Sequence, residues 1–139
     1  MDIGRFFQYI AQGTAYTLGV TLVALPSGLI LGLLFAFLAV YAGKLANRFF
    51  SIYSTIMRGI PPIVLLFILY FVMSGAINLT PFWAGSISLG IISSAYQLEI
   101  FRGAILSVSA GQMMAARAIG LSKVQAIRTV IFPQMIRVA

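Results

Sequence analysis

The sequence predicts an all-α integral membrane protein, and three observations support this fold class. Of the 139 residues, 61% are hydrophobic and only 8% are charged, and the mean hydropathy is +1.06. Soluble domains carry about a quarter charged residues, so this chain could not cover a water-facing surface. Two long stretches, residues 6–43 and 59–98, contain no charge at all. All cations other than Arg5 lie either between Lys44 and Arg58 or from Arg102 onward, as expected for segments outside membrane spans.

The same composition excludes most catalytic chemistry. The chain has no cysteine and no histidine, and its two acidic residues, Asp2 and Glu99, lie far apart. We therefore expect no catalytic residue, no metal site and no cofactor site. A phosphate-binding P-loop is also missing, because Gly43-Lys44 is followed by leucine and lacks the upstream glycine. The net charge of +7 would suggest nucleic-acid binding in a soluble protein, but here its distribution indicates topology.

The first predicted membrane span covers about residues 14–40. A helix needs about 20 apolar residues to cross the bilayer core, and this stretch exceeds the apolar core of a cleavable signal peptide. Pro26 lies in its middle and is expected to kink it, which neighbouring helices in a membrane can accommodate.

The second uncharged stretch is about twice as long as one span requires, so it must turn. Its turn-like segment is Ser74–Pro81. This places span two at about residues 49–73 and span three at about 83–105. The segment Arg58–Pro62 is expected to break or kink span two, because a residue before proline avoids the helical region. Trp83 suits an interfacial position.

The positive charges predict the orientation. Lys44 and Arg48 flank the first loop, and five cations follow from Arg102 onward, whereas the turn between spans two and three has none. Cytoplasmic loops are enriched in Lys and Arg. We therefore expect a multi-pass protein of the cell (inner) membrane, with the first loop and the C-terminal segment cytoplasmic and the N-terminus outside.

Small residues recur at every fourth position in two spans. They are Ala24, Gly28, Gly32 and Ala36 in span one, and Ser86, Gly90 and Ser94 in span three. Such spacing lets helix backbones approach closely. We interpret both ladders as helix-packing surfaces rather than as a pore lining.

The segment 109–133 is too short and too charged to span a membrane, and it predicts two short helices. Ser109 with Gln112 fits a capping box, Gly120 fits a left-handed helix end, and Ser122 with Gln125 fits a second box. Pro133 is expected to stop the second helix. Its apolar face would be formed by Val124, Ile127 and Ile131, with Arg128 off that face. This hairpin predicts either an interfacial lipid-binding element or a docking surface for a soluble partner.

Several motifs, taken together in their order, resemble the permease subunits of binding-protein-dependent ABC importers. Met114-Ala115-Ala116, then Gly120, then Ile131-Phe132-Pro133 resemble the EAA loop of that family. Flanking segments resemble its polar-amino-acid branch: Gly111-Gln112, Ala95-Tyr96, Glu99-x-x-Arg102-Gly103-Ala104-Ile105 and Arg58-Gly59-Ile60-Pro61. Met114 occupies the position that is usually acidic. The resemblance implies the type I ABC-importer permease fold, with three transmembrane helices here followed by cytoplasmic coupling helices.

The resemblance also implies partners and site residues. In the family the permease works as a pair, homodimeric or heterodimeric, with a separate ABC ATPase subunit and an extracytoplasmic solute-binding protein. The coupling contact with the ATPase would involve Gly111, Gln112, Ala115, Ala116, Gly120 and Leu121. In the family a fourth helix begins at the position of residues 134–139 and a fifth follows, so we expect residues 1–139 to form an incomplete transmembrane domain.

Glu99 and Arg102 are three residues apart and can pair on one helix face. They form either an ion pair near the cytoplasmic interface or, together with Tyr96, part of a translocation path, since intramembrane ionisable groups usually face a cavity. The leading functional hypothesis is an importer permease for polar amino acids, a transport subunit and not an enzyme. The alternatives are a small oligomeric membrane channel and a membrane scaffold with a cytoplasmic docking segment.

Overall fold

The structure is a computed structural model, and it describes residues 3–73 and 78–139. These residues form helices and connecting turns, which confirms the all-α prediction. The helices are α1 (Ile3–Tyr41), α2 (Lys44–Gly59), α3 (Pro62–Phe67, continued by a π-helical turn, Ile68–Val72), α4 (Pro81–Ser107), α5 (Ala110–Ala118), α6 (Lys123–Ala126, continued by a π-helical turn, Ile127–Ile131) and α7 (Phe132–Met135).

Helix α1 is longer than the predicted first span. Its 39 residues extend about 58 Å at the helical rise of ~1.5 Å per residue, and Pro26 lies inside it. Threonine hydroxyls donate to the carbonyl four residues earlier, Thr14 to Ile10 and Thr17 to Gly13. These bonds satisfy polar groups that would otherwise face an apolar environment.

Among the described residues, α1 is long and apolar enough to cross a membrane by itself. Helix α2 and the α3 segment meet the same test as a pair, bent by 98°. The predicted break in span two is confirmed, since Ile60 and Pro61 are extended between the two helices. Helix α4 has 27 residues and is long enough to cross a bilayer. Its many serines lower its mean hydropathy, however, and it does not pass the same test. The number of spans therefore stays a prediction.

The predicted turn between spans two and three falls partly on residues 74–77, which lie outside the described residues. Thr80 is extended and Pro81 opens α4, a position where the missing N–H of proline costs nothing.

The central packing joins α1 to α4 through the two small-residue ladders. Ala24, Gly28, Gly32 and Ala36 are buried on α1, and Ser86, Gly90 and Ser94 are buried on α4. A Cβ at Gly32 would come within 3.0 Å of the backbone N of Leu98 and of the carbonyl of Ser94. The ladders are therefore packing surfaces, as predicted.

The short helices α5 to α7 pack against the C-terminal ends of α1 and α4. Ile131 and Met135 join Ala36, Ala104 and Ile105 in one buried cluster. This cluster fixes the position of the hairpin relative to the two longest helices.

Three local predictions for this hairpin were wrong. Pro133 does not stop the second helix, because the π-helical turn before it shifts the hydrogen-bonding register and the chain stays helical to Met135. Ser109 caps α5 through the N–H of Gly111, but Gln112 does not complete a box, since its side chain accepts from Gln134. Val124 is 74% exposed, and the buried face contains Ala126 instead.

Candidate functional site

The elbow between α5 and α6 is built around Gly120. Its φ of +89° lies in the left-handed region, which glycine adopts without a Cβ penalty. The N–H of Leu121 donates to the carbonyl of Ala116 at 3.1 Å, and the N–H of Gly120 donates to that of Arg117 at 3.1 Å. These two bonds form a Schellman motif that ends α5. The predicted left-handed glycine is confirmed.

Side-chain hydrogen bonds hold the elbow on either side. The Arg117 guanidinium donates from Nη1 to the carbonyl of Leu121 at 3.0 Å, across the turn. Ser122 and Gln125 form the predicted capping box, with the Gln125 Oε1 2.8 Å from the N–H of Ser122. The N–H groups of Ser122 and Gln125 are thereby satisfied, which fixes the start of α6 relative to the elbow.

The predicted coupling residues divide into an exposed and a buried set. Gly111, Gln112, Ala115 and Gly120 are exposed, Leu121 is half-buried, and Ala116 is only 3% exposed. Ala116 therefore faces the interior of the hairpin, so it can support a partner contact only indirectly.

The hairpin also exposes two large apolar side chains that were not predicted as coupling residues. Met114 is 67% exposed and Ile119 is 79% exposed. The sequence shows where these two residues lie on a helix relative to Ala115. It does not show which side of that helix is buried, because this depends on how α5 packs against its neighbours. Met114 lines a pocket with Val40, Tyr41 and Ile105, so it lies toward the ends of α1 and α4, whereas Ile119 is exposed next to the elbow.

A tie between α6 and α1 adds to the buried cluster. The Lys123 ammonium donates to the carbonyl of Tyr41, the last residue of α1, at 2.8 Å. A cation at a helix C-terminus satisfies an orphan carbonyl and interacts favourably with the helix dipole. The hairpin and the first loop therefore lie at the same end of α1.

A second polar region lies between α2 and α4. The Ser54 hydroxyl donates to Glu99 Oε1 at 2.5 Å, and Arg102 donates from Nη1 to the Ser51 hydroxyl at 2.7 Å. The Glu99 and Arg102 side chains are 3.9 Å apart at their nearest charged atoms and are about one-quarter exposed. Both charges are thus held between the two helices and not only by each other. We call this region the α2–α4 polar seam.

Aromatic residues extend the polar seam in both directions. The Tyr53 hydroxyl lies 2.6 Å from the Ser94 hydroxyl and donates to the carbonyl of Ile91 at 3.1 Å. At the other side, the Arg58 guanidinium lies 5.9 Å from the ring centroid of Tyr96, which is half exposed. The structure therefore brings all three predicted path residues, Tyr96, Glu99 and Arg102, to the surface that faces α2.

Sequence reasoning missed the partners on α2. A signal was present, since Asn47, Ser51, Ser54 and Arg58 recur at spacings of four, three and four, which places them on one helical face. The opposite face carries exposed apolar side chains: Leu45, Phe49, Ile52 and Ile56. Helix α2 is thus amphipathic with its polar face toward α4, the reverse of a water-soluble surface helix.

Comparison with known proteins gives a consistent result. A family model described as "binding-protein-dependent transport system inner membrane component" matches residues 28–139. The glutamine transport system permease protein GlnP of Escherichia coli (strain K12) is 36% identical over 131 residues, which cover 92% of this chain and 60% of that protein. The probable amino-acid ABC transporter permease protein YckA of Bacillus subtilis (strain 168) is 38% identical, with 96% and 59% covered.

Two further matches agree. The histidine/lysine/arginine/ornithine transport system permease protein HisQ of Escherichia coli (strain K12) is 33% identical, with 96% of this chain and 64% of that protein covered. A crystal structure of an amino acid ABC transporter with histidines superimposes with a TM-score of 0.76 at 33% identity, covering 99% of this chain and 66% of that one. The chain spans about 60% of the length of GlnP and YckA.

Proposed function

The chain belongs to the family of binding-protein-dependent transport system inner membrane components, and from that premise we propose that it is a permease subunit of an ATP-driven importer for polar amino acids. Its relatives carry the names of glutamine, histidine/lysine/arginine/ornithine and amino-acid permeases. Such a subunit is a transport component and not an enzyme. Relatives of this kind favour the importer over a small channel or a scaffold.

The observation that carries the proposal is the fixed position of the α5–α6 hairpin. It exposes Gly111, Gln112 and Ala115, while Ile131 and Met135, which follow α6, anchor it to α1 and α4. A displacement applied to the exposed face would therefore be passed to the two longest helices. This is the mechanical property that an ATPase-coupling element requires.

The α2–α4 polar seam is proposed as part of the translocation path. A polar amino acid carries a carboxylate and an ammonium group, and the seam offers a carboxylate at Glu99 and guanidinium groups at Arg102 and Arg58. Intramembrane ionisable groups usually face a cavity and mark substrate pathways. Movement of α4, transmitted from the hairpin, would change the distance between these groups and α2.

The proposed partners follow from the same role. We expect a separate ABC ATPase subunit at the hairpin, an extracytoplasmic solute-binding protein at the opposite side of the membrane, and a second permease subunit. The hairpin and the first loop, between α1 and α2, would face the cytoplasm, with the start of α1 outside. Met114 replaces the usual acidic side chain, so we expect no salt bridge to the ATPase at that position.

A site-specific crosslink tests the proposed function. The chain has no native cysteine, so Ala115→Cys gives a single attachment point for a benzophenone maleimide in native membranes. We expect an ultraviolet-dependent adduct that mass spectrometry identifies as an ABC ATPase. The matched control is Leu22→Cys, which is exposed on α1 but far from the hairpin, and it should give no such adduct. An Ala115 adduct with lipid alone, or equal ATPase adducts at both sites, would contradict the proposal.

A further inference from the structure

A groove runs between the C-terminal turns of α1 and the start of α6. It has a volume of about 380 Å³ and is walled by Leu34, Phe37 and Leu38 on one side and by Val124 and Ile127 on the other. Leu34 and Leu38 are four residues apart, so their side chains lie next to each other along the helix. The groove is therefore an apolar channel that follows the axis of α1.

One end of this groove carries a positive charge. Lys123 is the charged member of its lining, and its ammonium lies 2.8 Å from the Tyr41 carbonyl and 5.4 Å from the Tyr41 ring centroid. A lysine ammonium has three donors, so two remain after the bond to Tyr41. The acidic residue among the described ones is Glu99, whose carboxylate is engaged by Ser54 and Arg102, so it does not neutralise Lys123.

The direction of the groove matches that of a lipid in a bilayer. The apolar wall lies on the helix most apt to cross the membrane, and Tyr41 is the last residue of that helix. Tyrosine is enriched at the level of the lipid headgroups. Leu34 lies about 10 Å further along the axis, at ~1.5 Å per residue, where acyl chains would be. Apart from its charged end the groove offers almost no polar group, so a water-soluble ligand would find no partners along it.

We propose that this groove binds one anionic phospholipid, with the lipid phosphate at the Lys123 ammonium and an acyl chain against Leu34, Leu38 and Val124. Basic pockets between transmembrane helices on the cytoplasmic side suit anionic headgroups. The bound lipid fills the space between α1 and α6, the same two elements that Lys123 ties together, and so supports the hairpin. The inference requires membrane location but not transport, so it stands apart from the proposed function.

Tryptophan quenching by brominated lipid tests this site in the intact chain. Trp83 is the single tryptophan, so a Trp83→Phe background carrying Leu34→Trp reports on the groove. The purified chain is placed in vesicles of dibrominated phosphatidylcholine mixed with unlabelled phosphatidylglycerol or unlabelled phosphatidylcholine. We expect unlabelled phosphatidylglycerol to displace the brominated lipid, and so relieve the quenching, about five-fold more effectively than unlabelled phosphatidylcholine does. This ratio corresponds to the interaction of about one lysine with an anionic headgroup. Leu22→Trp, exposed on α1 outside the groove, should report nearly equal affinities for phosphatidylglycerol and phosphatidylcholine.

Charge variants distinguish a site from a general surface potential. Lys123→Gln should reduce the ratio of phosphatidylglycerol to phosphatidylcholine relief, measured with Leu34→Trp, to near one. Lys123→Arg should keep most of this ratio. Arg128→Gln, an exposed cation outside the groove lining, should leave it unchanged. Equal relief of quenching by both lipids in the Trp83→Phe, Leu34→Trp protein with native Lys123 would by itself overturn the proposal. So does a loss with Arg128→Gln as large as with Lys123→Gln, and so does an absence of quenching, which would mean that protein covers the groove.

Discussion

Gly120 and Gly103 have equally open surroundings, since a Cβ at either position would meet no atom within 4 Å. They differ in the backbone: Gly120 has a φ of +89°, whereas Gly103 lies inside the regular helix α4. A β-branched side chain is a genuine outlier at positive φ. The conformational demand at the elbow can therefore be separated from simple crowding by substituting both glycines in the same way.

Gly120→Val is expected to abolish transport while the protein still inserts in the membrane. The strain of about 1–3 kcal/mol would be relieved by unwinding the Schellman motif, which displaces α5 from α6. Uptake of a labelled amino acid and membrane abundance are measured for the assembled transporter. Gly103→Val serves as the matched control and should retain most of the uptake, because its helix tolerates a Cβ. Normal uptake with Gly120→Val would contradict the coupling role of the hairpin.

The pair Glu99 and Arg102 offers a second test at the residue scale. The reversed pair, Glu99→Arg with Arg102→Glu, restores the mutual attraction but not the directed bonds with Ser54 and Ser51 on α2. If these groups line the path, uptake should stay below about a tenth of the parent value, since tenfold corresponds to only ~1.4 kcal/mol. Membrane abundance should be normal. Recovery of uptake in the double variant would show that the two residues act only as an ion pair.

At the scale of the elements, the contact between α1 and α4 depends on small residues at four-residue spacing. Alanine favours a helix over glycine by roughly 1 kcal/mol, so a Gly-to-Ala change in an unhindered helix should stabilise it. At Gly32 the added Cβ would press on the backbone of Leu98 and Ser94. Backbone atoms cannot move as a flexible side chain can, so here packing opposes propensity.

Gly32→Ala is therefore expected to lower the stability of the chain by roughly 1–3 kcal/mol, the usual cost of overpacking. Gly13→Ala is the control, because a Cβ there meets nothing within 4 Å on the same helix, and it should be neutral or slightly stabilising. Thermal unfolding in detergent, followed by helical circular dichroism, measures both. An unchanged midpoint for Gly32→Ala would mean that α1 and α4 are not in close contact.

The elements differ in how far the sequence alone determines them. The packing ladders were predicted correctly because their four-residue spacing is visible along each single helix. The break before Pro61, the Gly120 elbow and the Ser122 capping box were predicted correctly because each depends on a few neighbouring residues. Pro133 was expected to end a helix, but the π-helical turn before it shifts the hydrogen-bonding register, and the chain stays helical to Met135.

The candidate site was less accessible to sequence reasoning. The motifs identified the family and the exposed hairpin residues, but the burial of Ala116 and the exposure of Val124 depend on how α5 to α7 dock together. The partners of Glu99 and Arg102 on α2 lie 45 and 51 positions away. Such contacts become apparent only when α2 and α4 are placed side by side.

At the scale of the whole molecule, one end of the described residues contains four features. They are the hairpin, the first loop between α1 and α2, and the C-terminal ends of α1 and α4. The cluster around Ile131 and Met135 gives the hairpin a firm attachment to both long helices. Asn78, next to the start of α4, lies at the other end of that helix. One orientation in the membrane therefore decides the side of every proposed partner.

The central claim is that the hairpin end faces the cytoplasm, where an ATPase can reach it, while the Asn78 end faces outside. Single cysteines at Asn78 and at Lys44 are unambiguous labelling sites, because the chain has no cysteine of its own. A membrane-impermeant maleimide applied to intact cells should modify Asn78→Cys and leave Lys44→Cys unmodified until the cells are opened. Labelling of Lys44→Cys in intact cells, with Asn78→Cys protected, would reverse the orientation and contradict the coupling account.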